Sequence, residues 1–588
     1  MFARRDILDY TQGMSARNTK KPRRYAVSVC VAVCALALGC TSVPKVSTSG
    51  GAAGPLPPTA SASAAPFNRA DFEKALAGRN LDLLASYSSS ERGSLGAAAG
   101  SADRERAQVR YEALRQEILL VPASRDALAP NLPALAALLA QPEAKHFSSG
   151  ERKKLESVLA SYASPRSQAE KYRSSELDPR VERVSPALLS SAARAPETQL
   201  GPLVAALIRG ERDSFSQIKL IHDWIAETIT YDVAMLSKNT VTNQDLASVL
   251  GSRRAVCSGY AALFERMAKL AGFEVKTARG FTKGLGGDFD FTSLNSHAWN
   301  IVRIGDLWYP IDTTFDAGAF DATGGRGQYH KRYSTDYLFA PPIQLRFTHF
   351  PDDPLDQLSA APIGREAFRA QALVMPEYFA YNIALKRVAG AAGDLSALAG
   401  SFAANRDFKI EFDAPEGLLM DAALYDAKGK EIDRSALASH PGSTAWNIDF
   451  ATPVGGMYTV RVFAGPRDHS EKASSSTLSG VLQFKLQSPG ALGAYPLPKL
   501  YERYQYPSGE FLTSPRAGTL AKGSTARFVY RSKANYVAII YENTFVPLKN
   551  AGGGDFALDF KIPATSTVKL GVSDDNIHYG IVLAWDVR

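Results

Sequence analysis

Cysteine is scarce in this sequence, which has four cysteines among its 588 residues. Cys30 and Cys34 lie in an apolar stretch near the N-terminus, and Cys40 ends that stretch. We expect the first two to leave with a cleaved leader and Cys40 to carry lipid, so Cys257 has no intrachain partner and no disulfide framework forms. An unpaired thiol in an oxidising compartment is open to oxidation, so its retention favours a chemical role for Cys257.

Long hydrophobic runs are also missing. The apolar stretch 25–38 follows a basic segment and is too short to span a bilayer as a helix, so it is typical of a secretory signal. It ends in residues 36–40 (LALGC), which resemble a bacterial lipobox except that Ala37 stands where Leu is usual. This resemblance implies a signal peptide over residues 1–39 and acylation of Cys40.

The residue after the lipobox bears on location. Thr41 stands there in place of Asp, which by resemblance to enterobacterial sorting implies the outer membrane. We therefore expect a bacterial cell-envelope protein that is held to the membrane by its N-terminal lipid and faces the periplasm or the cell surface.

Excess charge of one sign is small. The chain has 67 Lys and Arg against 59 Asp and Glu, a formal net charge of +8, and part of the excess lies in the signal peptide. So diffuse a charge does not indicate a nucleic-acid partner. The glycine-rich stretches 284–287 and 324–327 lack the Lys-Ser/Thr and the helix of a phosphate-binding loop, and we interpret them as surface turns or as loops that gate a cleft.

Metal-ligand spacing is absent as well. No histidine has a Cys or His neighbour at a zinc-binding interval, so the sequence predicts no metal site and no cofactor. Two of these histidines, His222 and His349, we interpret as structural or surface residues. The other five outside the hairpin described below are His146, His330, His440, His469 and His578.

Cys257 stands in residues 254–260 (RAVCSGY) and is followed by apolar residues at helical spacing that end at 271–272 (AG). The pattern predicts a helix that begins near Cys257. Unpaired N–H groups and the positive end of the helix dipole would there lower the thiol pKa from about 8.5. This segment by itself leaves a nucleophile and a buried structural cysteine equally open.

Two further residues come from a predicted β-hairpin. Segments 296–304 and 307–312 read as strands joined by a tight Gly-Asp turn. If the residues next to the turn pair, His297 lies opposite Thr314, and Asp312 lies diagonally next to His297 on the same face. An isolated His–Asp pair is more often a surface pair than a catalytic one, but its coincidence with a helix-start cysteine is rare.

Together these features resemble the transglutaminase-like superfamily of cysteine enzymes, whose core is papain-like. The segments that carry the resemblance are 218–225, 229–232, 254–260, 296–299 and 311–315. Residues 333–339 and 348–353 resemble the branch that contains kyphoscoliosis peptidase and the fungal cytokinesis proteins. The resemblance implies that Cys257 is the nucleophile, His297 the general base and Asp312 the residue that orients the imidazole.

Candidates for supporting roles are less specific. Gln244 is similar in placement to a Gln that precedes the cysteine in the cytokinesis branch, which implies an oxyanion donor beside the N–H of Cys257. The alternative is that Gln244 caps a predicted helix at 245–250. Trp299 and Trp308 either line or shield the site or serve as core aromatics.

The remaining sequence predicts a multidomain architecture. Residues 40–66 form a Ser-, Ala- and Pro-rich disordered tether, and 67–200 carry helical patterns of a propeptide, a partner-binding module or a spacer. Residues 201–362 form the α+β transglutaminase-like core. Period-two patterns predict two Ig-like β-sandwiches, at 366–492 and 494–588, which are available to protein partners.

Three functions remain open. The first is a cysteine hydrolase, a peptidase or amidase that forms a thioester with a protein or peptide substrate. The second is an acyltransferase that cross-links proteins, and the third is a non-catalytic binding scaffold. The chain has no acidic cluster like the calcium sites of animal transglutaminases, which favours hydrolysis.

Overall fold

The computed structural model covers the C-terminal three quarters of the chain. The described residues are 148–150, 152–153, 169–173 and 176–588, with gaps at 234–242, 286–288, 293–294, 306, 322–327, 360–361, 394, 396–397, 405–407, 467–477 and 502–508. The predicted signal peptide, Cys40 and the tether lie outside the described residues, as do loop 324–327 and part of loop 284–287. Within the described residues, no helix is long and apolar enough to cross a membrane.

Helices make up the first part of the described chain. They are α1 (Pro186–Arg194), α2 (Pro196–Leu207), α3 (Ser214–Thr228), α4 (Leu246–Ser252) and α5 (Cys257–Leu270). Their starts follow from local chemistry, since the side chains of Ser185, Asp213 and Asp245 accept backbone N–H groups at the N-termini of α1, α3 and α4. The predicted end of α5 is confirmed, because Gly272 has a φ of 90° just beyond the helix.

A four-stranded antiparallel sheet follows, in the order β5-β4-β3-β8. The elements of this part are β1 (Thr230–Tyr231), β2 (Arg254–Ala255), β3 (Val275–Thr282), β4 (Ser296–Ile304), β5 (Leu307–Ile311), α6 (Thr313–Ala317), β6 (Gly318–Asp321), β7 (Gln328–Lys331), α7 (Pro342–Leu345) and β8 (His349–Pro351). Helix α5 packs on this sheet, and Phe264 and Met267 share one buried cluster with Val302 and Ile311.

The predicted hairpin register is confirmed for β4 and β5, which pair from Ile304 with Leu307 to Asn300 with Ile311. The pairing stops there. Asp312 leaves the sheet and caps α6, so Thr314 lies in a helix and not opposite His297, as the extended hairpin predicted. The reason is that the Asp312 carboxylate accepts backbone N–H groups of the following turn, which starts a helix.

The first β unit consists of two sheets in the orders β11-β10-β13-β17-β16 and β12-β19-β18-β14-β15. Its elements are α8 (Arg365–Ala370), β9 (Leu373–Val374), α9 (Pro376–Ala380), β10 (Ala384–Val388), β11 (Ala391–Ala392), β12 (Ser401–Ala403), β13 (Phe408–Asp413), β14 (Leu418–Tyr425), β15 (Glu431–Ile432), β16 (Ala436–Ser439), β17 (Ala445–Phe450), β18 (Gly456–Pro466) and β19 (Ser479–Ser488). Phe412 and Trp446 of one sheet and Val460 and Phe484 of the other belong to one buried cluster, so the sheets form a sandwich.

The second β unit has the same design. Its sheets run β20-β29-β28-β24-β25 and β21-β23-β27-β26. The strands are β20 (Lys499–Leu500), β21 (Phe511–Ser514), β22 (Thr519–Leu520), β23 (Thr525–Arg531), β24 (Tyr536–Tyr541), β25 (Thr544–Pro547), β26 (Lys549–Gly552), β27 (Asp555–Lys561), β28 (Thr567–Ser573) and β29 (Gly580–Val587). Phe528 and Trp585, on opposite sheets, meet edge to face at 5.1 Å. The predicted fold class, an α+β core followed by two β-sandwich units, is confirmed for the described residues.

The units are joined by side chains that cross their boundaries. Ile343 and Phe347, which precede the first sandwich, are buried in its hydrophobic cluster. Arg434 of the first sandwich donates to the carbonyl oxygens of Leu497 and Gly518, and it forms an ion pair with Asp586 of the second. Packing therefore continues across both boundaries.

Candidate active site

Cys257 is the first residue of α5. The chain enters the helix through Val256, which is extended, with φ −97° and ψ 179°. Pairing of β1 with β2 fixes the two residues before it. The Cys257 side chain is buried and packs against Ala261 of its own helix and Ala298 of β4. The predicted position at a helix start next to the hairpin is therefore what the structure has.

The bonding state of Cys257 differs from the expectation. Cys257 is disulfide-bonded, whereas the sequence predicted that it has no intrachain partner. The prediction assumed that Cys30 and Cys34 leave with the signal peptide and that Cys40 carries lipid, whereas the full sequence contains all three cysteines. They lie outside the described residues. Nucleophilic attack needs a thiolate, so this disulfide must be reduced before Cys257 can react.

His297 and Asp312 are in direct contact. Nε2 of His297 lies 2.6 Å from Oδ2 of Asp312, and both side chains are almost completely buried. The other carboxylate oxygen, Oδ1, accepts the backbone N–H groups of Thr314 and Phe315 at 3.0 and 3.2 Å. The helix cap therefore fixes the carboxylate, and the carboxylate fixes the imidazole.

The second ring nitrogen of His297 is available. Nδ1 is buried and has no hydrogen-bond partner among the described residues. Because Nε2 faces a carboxylate, it carries a proton, and Nδ1 is the ring nitrogen without a partner among the described residues. A buried polar atom without a partner is uncommon. His297 directly precedes Ala298, which packs on Cys257, so Nδ1 is the ring nitrogen placed for proton transfer.

His349 is the residue that the sequence interpretation missed. It is completely buried, and its Nε2 lies 3.0 Å from the same Oδ2 of Asp312. The surface alternative for His349 is therefore wrong, and the structural alternative agrees with its burial and its contact with Asp312. Its strand, β8, pairs with β3, and a Cβ on Gly280 would meet the carbonyl oxygen of Phe350 at 2.1 Å, so glycine is needed for this approach. Its place in segment 348–353, part of the family resemblance, was the available signal.

These contacts control the charge of the carboxylate. Burial acts to raise the pKa of Asp312, but the charge of His297 and hydrogen bonds from His297 and His349 hold it well below its usual range. Burial lowers the pKa of His349, against the opposing effect of its hydrogen bond to Asp312. At neutral pH the site therefore contains an ionised Asp312 and an uncharged His349.

Aromatic rings enclose the two histidines. The Phe315 ring lies 4.7 Å from His297, and the Trp299 ring lies nearly parallel to His297 at 6.1 Å. Trp299 also meets His349 edge to face at 4.9 Å. Trp299 therefore combines the two predicted roles, since it is a core aromatic and also shields the His–Asp pair. Trp308 is half-buried, and Lys276 lies over its ring.

The same three side chains include donors that a metal ion could use. One ligand atom from each of His297, Asp312 and His349 lies within 4.8 Å of the others. Two ligands of tetrahedral zinc, at bonds of about 2.1 Å, lie roughly 3.3 Å apart. The observed N–O distances of 2.6 and 3.0 Å are shorter and fit N–H···O hydrogen bonds.

Gln244 lies beside the start of α5. Its Oε1 accepts the backbone N–H of Val256 at 2.9 Å. It does not cap α4, because Asp245 does so through the N–H of Ser248. A Cβ on Gly259 would come within 2.5 Å of Oε1, so the amide is closely confined. The Gln244 side chain is therefore fixed at the start of α5, next to Cys257.

A second buried His–Asp cluster lies behind α6. His222 of α3 contacts Asp223 through Nδ1 at 2.9 Å and Asp316 of α6 through Nε2 at 3.1 Å. Burial acts to lower the pKa of His222, but hydrogen bonds to Asp223 and Asp316 raise it to about 9. Lys219 pairs with Asp223, and Tyr333 donates to it. The interpretation of His222 as structural agrees with this arrangement.

A shallow cleft opens on one side of Phe315. Its wall includes Tyr337 from the core and Met375 and Glu377 from the start of the first sandwich. Burial raises the pKa of Glu377 to about 7, with a further contribution from Asp336. This cleft therefore has walls from both the core and the first sandwich.

Residues 202–313 match the sequence profile of the transglutaminase-like superfamily. Kyphoscoliosis peptidase of Mus musculus is 29% identical over 188 residues, which cover 31% of this chain and 27% of the relative. Cytokinesis protein 3 of Schizosaccharomyces pombe is 22% identical over 370 residues, or 60% of this chain and 41% of the relative. A crystal structure of a TGase is 18% identical over 21% of this chain and 36% of that chain, with a TM-score of 0.17. The chain therefore carries a transglutaminase-like domain related to kyphoscoliosis peptidase and cytokinesis protein 3.

Proposed function

We propose that the domain is a cysteine hydrolase, a peptidase or amidase, in which Cys257, His297 and Asp312 form the catalytic triad. The observation that supports it most is the state of His297. One of its nitrogens is hydrogen-bonded to an ionised carboxylate, and the other is buried near the start of α5 with no hydrogen-bond partner among the described residues. This is the division of labour that a nucleophile–base–orienter triad requires.

The first half of the reaction forms a thioester. In the thiol form of Cys257, His297 accepts the proton of the thiol at Nδ1, and the thiolate attacks the substrate carbonyl carbon. The backbone N–H of Cys257 and the side-chain amide of Gln244 stabilise the oxyanion. The C–N bond then breaks, the leaving amine takes the proton from His297, and the acyl group stays on sulfur.

Water completes the cycle. His297 Nδ1 takes a proton from water, and the resulting hydroxide attacks the thioester carbonyl. The C–S bond then breaks, the Cys257 sulfur takes the proton back from His297, and the carboxylic acid leaves. If an amine replaced water, the product would be an amide and the protein an acyltransferase. Analysis of products in the presence of a primary amine separates these outcomes.

The first experiment measures Cys257 without a substrate. After reduction with dithiothreitol, the rate of alkylation of Cys257 by iodoacetamide is followed by peptide mass spectrometry from pH 4 to 10. We expect wild-type protein and the exposed control His578→Gln to react well below pH 8, and His297→Ala to need higher pH. A Cys257 that titrates near the unperturbed value of about 8.5 in wild type and His297→Ala alike would overturn the triad.

We also propose that Cys40 is acylated and holds the protein on the envelope membrane. The support is the lipobox-like segment 36–40 and the tether composition of 40–66. Metabolic labelling with an alkynyl fatty acid should mark wild-type protein and leave Cys40→Ala unlabelled. Equal labelling of both proteins would contradict the acylation of Cys40 and leave the proposed catalytic triad unaffected.

A further inference from the structure

The carboxylate of Asp312 is fully occupied by donors. Oδ1 accepts two backbone N–H groups, from Thr314 and Phe315. Oδ2 faces two imidazoles, those of His297 at 2.6 Å and His349 at 3.0 Å. A carboxylate has about four lone-pair sites, so each of them has a partner. The triad aspartate is thus held by a second histidine as well as by the one it orients.

The proton position on His349 follows from its neighbours. An uncharged imidazole has one N–H, and because Nε2 faces an ionised carboxylate, that N–H must be on Nε2. Nδ1 is then an acceptor, and the Thr348 hydroxyl lies 2.8 Å from it. The same hydroxyl donates to the carbonyl oxygen of Leu345 at 3.1 Å. A hydroxyl has one proton, so the contact with Thr348 does not decide the tautomer, and the Asp312 carboxylate places the proton of His349 on Nε2.

The surroundings hold the His349 ring in this orientation. Besides Trp299, the rings of Phe315 and Tyr337 lie 5.2 and 5.3 Å from it. His349 is completely buried, so a rotated ring would lose its contact with Asp312 without gaining water. A rigid donor of this kind can fix the direction of the carboxylate toward His297.

We propose that His349 is a positioning residue whose Nε2–H fixes the Asp312 carboxylate, so that Asp312 holds His297 with Nδ1 free. The effect of this contact on catalysis rests on the proposed function of Cys257, but the hydrogen-bond arrangement does not. His349 does not touch a substrate; it acts through Asp312. Loss of the donor lets the carboxylate tilt, which lowers the fraction of correctly placed His297.

The direct test is nuclear magnetic resonance of the full chain labelled with ¹⁵N-histidine. We expect His349 to show a protonated Nε2 and an unprotonated Nδ1 at neutral pH, with the Nε2 proton shifted to low field by the carboxylate. His349→Gln identifies the signals, and His578→Gln serves as the control for labelling. A protonated Nδ1 with a bare Nε2 on His349 in wild-type protein would overturn the proposal, whether or not the protein is an enzyme.

Variants then test the consequence for catalysis. Gln at position 349 can donate to Asp312 and accept from Thr348, whereas Leu can do neither. We expect His349→Leu to lower the rate of Cys257 acylation about 10- to 100-fold, as loss of an outer orienting group typically does, and to disturb the His297 signals. His349→Gln should restore most of the rate. Equal losses in both variants, with unchanged His297 signals and unchanged melting, would contradict positioning.

Discussion

Helix α6 separates two buried His–Asp clusters that have similar parts and different chemistry. Asp312 caps the helix and holds His297, and Asp316, one turn later, holds His222. His222 uses both ring nitrogens on carboxylates, whereas His297 uses one and leaves Nδ1 without a partner among the described residues. A histidine between two acids is a fixed cation, which stabilises. A histidine with one acid and a free nitrogen can move a proton.

The largest expected effect concerns the first cluster. Cys257→Ala and His297→Ala should each lower kcat/KM for a labelled peptide substrate by at least about 10⁴-fold, and the double variant should be little worse, because the two groups act as one unit. The measurement is hydrolysis under reducing conditions. Losses that multiply in the double variant would show that the residues act independently.

The next largest effect is expected for Asp312→Asn, which should lower kcat/KM by about 10³-fold. The Asp312 carboxylate is an anion that accepts N–H groups from both imidazoles, and the neutral Asn amide cannot replace it. The matched control is Asp223→Asn in the second cluster, which should destabilise the core but leave kcat/KM of the folded protein near wild type. If Asp223→Asn lowers kcat/KM as much as Asp312→Asn, the assignment of catalysis to the first cluster and of stability to the second is wrong.

His222→Gln should act on stability. It leaves two buried carboxylates without their shared cation, and breaking a buried ion pair costs about 3–5 kcal/mol. Urea unfolding followed by tryptophan fluorescence, to which Trp224, buried on the same helix, contributes, reports this change. His578→Gln, on the surface of the second sandwich, should show no shift. An unchanged midpoint for His222→Gln would mean that the cluster is not structural.

The smallest effect is a pH dependence. The folded-state pKa of His222, about 9, is above the unfolded value of about 6.5. Its contribution to stability is therefore complete below pH 6.5 and is lost as pH rises through 9. We expect the unfolding free energy of the core to fall over this interval in wild-type protein, and the fall to be smaller in His222→Gln. Parallel curves for the two proteins would assign the loss to another group.

Local patterns predicted the parts of the site that lie within single elements. Helical spacing after Cys257 predicted α5 and its end at Gly272, and the tight turn predicted the register of β4 and β5. The prediction that the second strand continues to Thr314 was wrong, because Asp312 caps a helix that includes Thr314. These successes and this error share a cause, which is that hydrogen bonds between near neighbours dominate short segments.

Contacts between distant segments were beyond the same reasoning. His349 reaches Asp312 across 37 residues, and His222 reaches Asp316 across 94. Neither pairing has a spacing that a local rule can read, because each depends on how sheet and helices pack. The sequence spacing of potential metal ligands likewise could not predict that His349 lies beside His297.

The sequence by itself determined that Cys257 begins a helix and that Asp312 lies close to His297 at the end of the hairpin, since spacing, turn chemistry and capping act over a few residues. Only the tertiary structure decided which nitrogen of His297 is free, how many donors Asp312 accepts, and which histidines are buried. Those properties depend on burial and on partners from distant strands, and a charge or tautomer is set by its whole surroundings.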